Sequence, residues 1–376
     1  MEYYFATQRL SVGYDGVPLL ENIEIGVRRG EILTLIGPNG SGKSTILKSM
    51  IRQLRPIAGT VLLEGRSIAP LDPRTLSRRL AIVMTEPLHA QRMTCREVAA
   101  TGRYPYTGRL GLLSPEDWQK VDEAIAMVHA DDYAHRLFHQ VSDGQRQRLL
   151  LARAICQEPE VVVLDEPTSF LDIRHKLELL DVLKDLVRRR NMAVVMSLHE
   201  LDLAQKVSDR VVCVAHGRVD RCGTPEEIFQ DDYIRTLYGI RQGSCNALFG
   251  TLEMPPSPGA PRVFVIGGGG SGIPVYRALQ RKGIPFAGGI LWENDLDWPV
   301  AKALAAETVC LPPYQLPEST HVEQAKALMG RCGKVICCTA VFGEVNRANR
   351  VLRDHAAARG LLTDMDTITR REGAEP

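Results

Sequence analysis

The stretch Gly37-Pro38-Asn39-Gly40-Ser41-Gly42-Lys43-Ser44-Thr45 fits G-x-x-x-x-G-K-[ST], with Gly37, Gly42, Lys43 and Ser44 on the fixed positions. Ile32-Leu33-Thr34-Leu35-Ile36 before it is a short apolar run suited to a buried strand, and Thr45 to Met50 after it continue as a helix. A strand-to-helix turn of this composition constrains the chain to an α/β fold with a phosphate cradle at the turn. Its glycines let the backbone curl so that successive N–H groups face inward, and the helix N-terminus adds partial positive charge. Lys43 is placed to bridge β- and γ-phosphates, and the Ser44 hydroxyl to ligate Mg²⁺.

Other strand ends carry matching chemistry. Val161-Val162-Val163-Leu164-Asp165-Glu166 is a continuous apolar run closed by two carboxylates, and a buried strand of a parallel sheet delivers such residues to the ligand side. Asp165 suits the Mg²⁺ shell, and Glu166 suits orienting or deprotonating an attacking water. Ala193 to Ser197 read as another buried strand, with His199 two residues beyond its end, where an imidazole can hydrogen-bond γ-phosphate oxygens or the water. Tyr14, upstream of the loop, either stacks on a purine or packs within a sheet.

At 376 residues the chain exceeds the usual size of one domain. Lys plus Arg number 46 against 45 Asp plus Glu, a formal charge of +1, which removes the broad basic field that nucleic acid or an anionic membrane would need. No nucleic-acid partner is expected. Nine cysteines with no C-x-x-C pair indicate neither a zinc knuckle nor a disulfide framework. Met1 to Phe5 lack the basic and apolar zones of a signal peptide, and no uninterrupted apolar stretch is long enough to span a bilayer, so a cytosolic setting is expected.

In chain order, Tyr3 to Val27 alternate apolar and polar residues around turn signals, which predicts a small antiparallel sheet beside the nucleotide fold. Gly59 to Gly65 read as a hairpin strand, and Leu80 to Met84 as a strand ending at Thr85-Glu86-Pro87. Leu88 to Gln140 turn helical, with Thr94 and Glu97 as a capping box and Ser114-Pro115-Glu116-Asp117 as a second helix start. Val141 to Arg148 read as a polar turn running into a helical stretch from Leu149 to Ala154. Ser169 to Asp172 open a further helix, whose end carries Arg188, Arg189 and Arg190 to offset the dipole.

Taken in order, these motifs resemble those of one family, the ATP-binding subunits of ABC transporters, over about Tyr3 to Tyr238. Tyr14 matches the aromatic adenine-stacking position, Gly37 to Thr45 the Walker A loop, and Val161 to Glu166 Walker B with its catalytic glutamate. Val141 to Gln145 match the signature loop, Ser169 to Asp172 the D-loop, and His199 the switch histidine. The resemblance implies a P-loop NTPase (ABC ATPase) domain over residues 1–250, with an antiparallel β-subdomain and a helical subdomain, that binds ATP and Mg²⁺ and hydrolyses ATP. It further implies a homodimer in which Ser142, Gly144 and Gln145 of one chain complete the site holding ATP on Lys43 and Ser44 of the other. An integral membrane permease is the implied partner, an extracellular substrate-binding protein an indirect one, and the cytoplasmic side of the membrane the implied location. Met93 to Tyr106, with Gly223 to Ile228, look like the branch that imports iron-siderophores, haem and cobalamin.

Two positions depart from the family pattern. Thr85 and Glu86 stand where the Q-loop glutamine is usual, so Thr85, through water, and Glu86, as an anion, are the expected metal contacts there. Asp143 stands where the signature more often has its first glycine. A carboxylate aimed at ATP would repel it, so Asp143 is expected to turn away while Ser142 and Gly144 keep the phosphate contacts.

Four prolines and one glycine within Met254 to Pro261 predict a stiff linker over residues 251–261. Residues 262–376 read as a small Rossmann-like α/β domain, probing as strand Arg262 to Ile266, a glycine loop, a helix from Pro274 to Gln280 and strand Phe286 to Leu291. Helices near Trp298 to Ala306 and Val322 to Met329, strand Lys334 to Cys338, a helix from Val345 to Ala358 and a frayed tail from Arg370 follow. Gly267, Gly269 and Gly272 satisfy G-x-G-x-x-G, which either presents N–H groups to a phosphate-bearing or other anionic small molecule or merely allows close helix–strand packing. With no acid, base or nucleophile set in view, the domain reads as regulatory. The expected activity is ATP hydrolysis driving import. The alternatives are a ligand-responsive regulatory ATPase and a non-transport ABC ATPase.

Overall fold

The computed structural model describes residues 3–84, 88, 90, 92–108, 110–240, 243–246 and 251–372. Thr85 and Glu86 lie outside the described residues. The chain forms two compact units, Met1–Tyr238 and Gly239–Pro376.

In the first unit a six-stranded sheet runs in the order Arg218–Gly223, Arg210–Ala215, Ile32–Ile36, Ala193–Ser197, Val161–Leu164, Leu80–Val83. All neighbours are parallel except the antiparallel edge strand Arg218–Gly223. Every residue of Ile32–Ile36, Val161–Leu164 and Ala193–Ser197 is buried, as a parallel sheet covered on both faces requires, which is why these strands are apolar without alternation apart from the hydroxyls of Thr34 and Ser197. A second, antiparallel sheet holds Phe5–Tyr14 between Val17–Ile23 and Ala58–Leu63, with Arg66–Ser67 beyond and Gly26–Val27 paired to Phe5–Tyr14. One core joins the two sheets through Phe5, Leu10, Leu20, Leu33, Ile46 and Val195.

The helical piece rests on reciprocal caps. Thr94 with Glu97, and Ser114 with Asp117, each close a capping box, worth about 1 kcal/mol per cap. A third box between Ser142 and Gln145 starts the helix Asp143–Ile155 directly at Asp143, so the segment expected as a turn up to Arg148 is helical. Cys95, Cys156, Cys213, Cys222, Cys310, Cys332, Cys337 and Cys338 are free thiols, and Cys95, Cys156, Cys213 and Cys332 are buried. Among the described residues no helix is long and apolar enough to cross a membrane.

The second unit is a four-stranded parallel sheet in the order Glu307–Leu311, Phe286–Trp292, Val263–Ile266, Lys334–Cys337. Strand alternation divides its core: Phe264 and Ile266 face the helices Ser319–Gly330 and Arg347–Ala358, while Val263 and Val265 face Ile273–Arg281, Trp298–Leu304 and Met365–Glu372. Glu307–Leu311 escapes a reading by hydrophobicity because it is an edge strand in which only Leu311 is buried. Arg370 to Glu372 complete the helix Met365–Glu372 instead of fraying, anchored by buried Ile368. The division between the units falls after Tyr238, and Thr251–Glu253 pair with Ser244–Asn246 as a hairpin, so the proline-rich stretch Met254 to Pro261 lies inside the second unit, between that hairpin and the strand Val263–Ile266.

Arg103, 5% exposed, ties the helical piece together. Its Nε donates to Asp117 Oδ1 at 2.9 Å, and its Nη1 to Cys156 O at 2.7 Å and Glu158 Oε2 at 3.0 Å. Removing one partner of a buried ion pair strands the other. Arg103→Ala is therefore expected to lower stability by about 3 kcal/mol, read as a shifted midpoint in urea unfolding followed by circular dichroism.

Candidate functional site

The carboxyl ends of Ile32–Ile36, Ala193–Ser197 and Val161–Leu164 lie side by side, and the phosphate loop leaves the first of them. Gly37 has φ 147°, and a side chain there would collide with the carbonyl oxygen of Val214. Its N–H donates to Tyr238 Oη at 3.1 Å. Asn39 and Gly40 form the exposed turn of the loop, Gly42 caps the helix Lys43–Met50, and Ser41 Oγ is buried with no partner. Buried Lys43 folds back to donate to the carbonyl oxygens of Gly37 at 2.8 Å and Pro38 at 3.1 Å. Burial holds its ammonium below the ordinary lysine value, against the pull of Glu166 and Asp165. A hydroxyl without a partner among the described residues and a cation turned to two loop carbonyls fit an incoming polyanion.

Beside the loop, Ser44 Oγ donates to Asp165 Oδ1 at 3.0 Å, and Ser197 Oγ donates to the same oxygen at 2.7 Å. The Glu166 N–H donates to Ser197 Oγ at 2.9 Å. Glu166 Oε1 is in close contact with His199 Nε2, and Oε2 accepts from Ser169 Oγ at 3.1 Å. Lys43, Ser44, Asp165, Glu166 and His199 are thus brought to one place. The oxygens of Ser44 and Asp165 suit a hard divalent ion such as Mg²⁺. Among the described residues no group of three or more His, Cys, Asp or Glu side chains could hold a metal alone, so these oxygens fit Mg²⁺ only in company with phosphate oxygens.

Tyr14 is 53% exposed, its Oη 3.5 Å from Thr45 Oγ1 at the start of the phosphate-loop helix, with the ring free to meet a ligand. Ser142, Gly144 and Gln145 are not joined to the phosphate loop within one chain: Ser142 and Gln145 bond each other in their cap, and Gly144 faces Leu171 and His175. Asp143 pairs with Arg146 at 2.8 Å.

The glycine loop of the second unit meets carboxylates of its own chain. The N–H groups of Gly268, Gly272 and Ile273 donate to Asp297, at 2.5, 2.9 and 3.2 Å, and that of Gly269 to Asp295 at 3.0 Å. A side chain at Gly272 would run into Tyr276 and Asp297. Of the two readings of this loop, anion binding or close helix–strand packing, the packing is seen: carboxylates of the chain itself accept from Gly268, Gly269, Gly272 and Ile273. Fully buried Asp297 has its carboxyl pushed above the usual range by desolvation, although the backbone bonds of Gly272 and Gly268 oppose the shift.

The profile of the ABC transporter family matches residues 20–169. The uncharacterized ABC transporter ATP-binding protein MJ0873 of Methanocaldococcus jannaschii is 39% identical over 276 residues, 73% of this chain and 95% of that protein. The chain belongs to the ABC transporter ATP-binding proteins. As such it hydrolyses ATP. The cobalamin import ATP-binding protein BtuD of Halobacterium salinarum is 35% identical over 323 residues, 84% of this chain and 81% of that protein, so the likeness runs on past the first unit. The probable siderophore transport system ATP-binding protein YusV of Bacillus subtilis is 36% identical over 247 residues, 65% of this chain and 90% of that protein. Among solved structures, the ATP-binding cassette MJ0796, a dimer in a post-hydrolysis state bound to ADP and Pi, matches with a TM-score of 0.53 at 25% identity, over 59% of this chain and 98% of that one. The profile of the MJ0874 family matches residues 286–372.

In this ABC ATP-binding protein two contacts at the site escaped the sequence. Ser197 carried a signal, a hydroxyl ending an apolar strand. Tyr238 carried none, because it meets Gly37 from 201 positions away.

A raised carboxyl pKa means that the folded second unit holds the Asp297 proton more tightly than the unfolded chain does. Its contribution is then full at low pH and lost as pH rises through the raised value. Wild type is expected to lose stability relative to Asp297→Asn as the pH is raised from below 3.8, read as thermal midpoints from Trp292 and Trp298 fluorescence in a Trp118→Phe background.

Proposed function

We propose that the protein energises import of a metal chelate of the cobalamin or siderophore class through a partner membrane permease, acting as a homodimer at the cytoplasmic face of the membrane. The observation that carries the hydrolytic roles is the placement of Glu166, held by His199 and Ser169 through its carboxylate and by Ser197 through its backbone. Residues Gly37 to Thr45 wrap the phosphates, with Lys43 exchanging loop carbonyls for β- and γ-phosphate oxygens. Ser44 and Asp165 hold Mg²⁺, which when bound offsets phosphate charge, and Thr85 and Glu86 complete its surroundings. Tyr14 stacks on the adenine. Glu166 takes the proton of the attacking water, and His199 contacts the γ-phosphate. Ser142, Gly144 and Gln145 reach the ATP of the partner subunit, and the Arg146 partner of Asp143 supports this by drawing that carboxylate aside. An extracellular substrate-binding protein would deliver the cargo. The cobalamin relative favours a corrinoid over a siderophore, since its likeness extends into the second unit.

Glu166→Gln is expected to bind ATP with Mg²⁺ as wild type does, to hydrolyse it at least about 100-fold more slowly, and to accumulate as an ATP-bound dimer. Steady-state turnover with size-exclusion chromatography in ATP checks this, and wild-type turnover would remove Glu166 from its role. Glu86→Ala is expected to raise the Mg²⁺ concentration for half-maximal activity, measured by metal titration. Unchanged metal dependence would exclude Glu86 from the metal site.

A further inference from the structure

Ser197 ends the strand Ala193–Ser197, two residues before His199, and is fully buried. The backbone N–H of Glu166 can only donate, so Ser197 Oγ accepts it, and the one hydroxyl hydrogen of Ser197 goes to Asp165 Oδ1. Ser44 brings a second hydroxyl to that same oxygen. A donor chain therefore runs from Glu166 through Ser197 to Asp165, where it meets the Ser44 hydroxyl donating from the phosphate loop. Glu166 has φ 48°, left-handed backbone that a residue with a β-carbon disfavours. One strand end thus grips Glu166 twice, by its backbone through Ser197 and by its carboxylate through His199.

We propose that Ser197 is a positioning residue for hydrolysis, fixing the water-activating carboxylate of Glu166 in register with Asp165 and Ser44. The inference rests on the role given to Glu166 above. Without the hydroxyl, the N–H of Glu166 loses the Ser197 acceptor and Asp165 loses a hydroxyl donor beside that of Ser44, so the base is free to drift from the line of the water while the loop that binds the triphosphate is untouched. Misplacement of a reacting group by about 1 Å can cost about 100-fold in rate. The defect belongs in kcat and not in ATP affinity.

The test is steady-state hydrolysis by the full-length chain, with active sites counted by a bound ATP analogue so that misfolded protein does not enter the rate. Ser197→Ala is expected to lower kcat about 10- to 100-fold with the KM for ATP within about threefold of wild type, and Ser197→Thr, which keeps the hydroxyl, to restore most of it. Wild-type kcat in Ser197→Ala, or a loss that Ser197→Thr does not relieve, overturns the inference. Glu166→Gln in the same assay separates the two readings: full turnover there removes the role of Glu166, whereas an inactive Glu166→Gln beside an unimpaired Ser197→Ala removes only that of Ser197.

Discussion

Two carboxylates and one ammonium at the ends of neighbouring buried strands set the terms for the nucleotide unit. Charges of this kind are stable out of water only if other groups surround them. Asp165 is met by the hydroxyls of Ser44 and Ser197, and Lys43 by two loop carbonyls. The interiors of the strands offer almost only apolar side chains, because a sheet covered on both faces buries them, and Ser197 contributes from the last position of its strand. The chemistry of the nucleotide site is therefore gathered at the carboxyl edge of the sheet, where the loop, the acids and His199 meet.

The two units resolve the same strand–loop–helix geometry in opposite ways. In the first, the loop retains a cation and, among the described residues, a hydroxyl without a partner, so an anion improves its electrostatics. In the second, Asp297 and Asp295 come from the chain following the next strand and fill the donors themselves. The second loop is self-satisfied, with buried Asp297 as a structural substitute for the phosphate that such a turn ordinarily receives. A glycine spacing therefore specifies a backbone shape and not its occupant.

That contrast bears on what was legible beforehand. The strands of the main sheet, the caps at Thr94 and Ser114 and the residues from Lys43 to His199 could be read because each signal is local: an apolar run, a spacing of three, an acid at a strand end. The cap at Ser142 has the same spacing but was hidden within a loop motif, so its helix was expected too late. Asp297 and Tyr238 act across long sequence distances on backbone N–H groups, which leave no trace in composition or periodicity. The edge strand Glu307–Leu311 was missed because half-exposed positions carry little hydrophobic pattern.

The strand order also fixes a schedule for biosynthesis. Leu33 pairs with Val195 on one side and Arg210 on the other, so the strand that carries the phosphate loop has neither neighbour until nearly the whole first unit has left the ribosome. Long-range pairing of this kind is slow, and an unpaired apolar strand is an aggregation hazard while it waits. A nascent chain stalled before Ala215 would expose that edge, whereas the four strands of the second unit lie close together in sequence and assemble after the ATPase is complete.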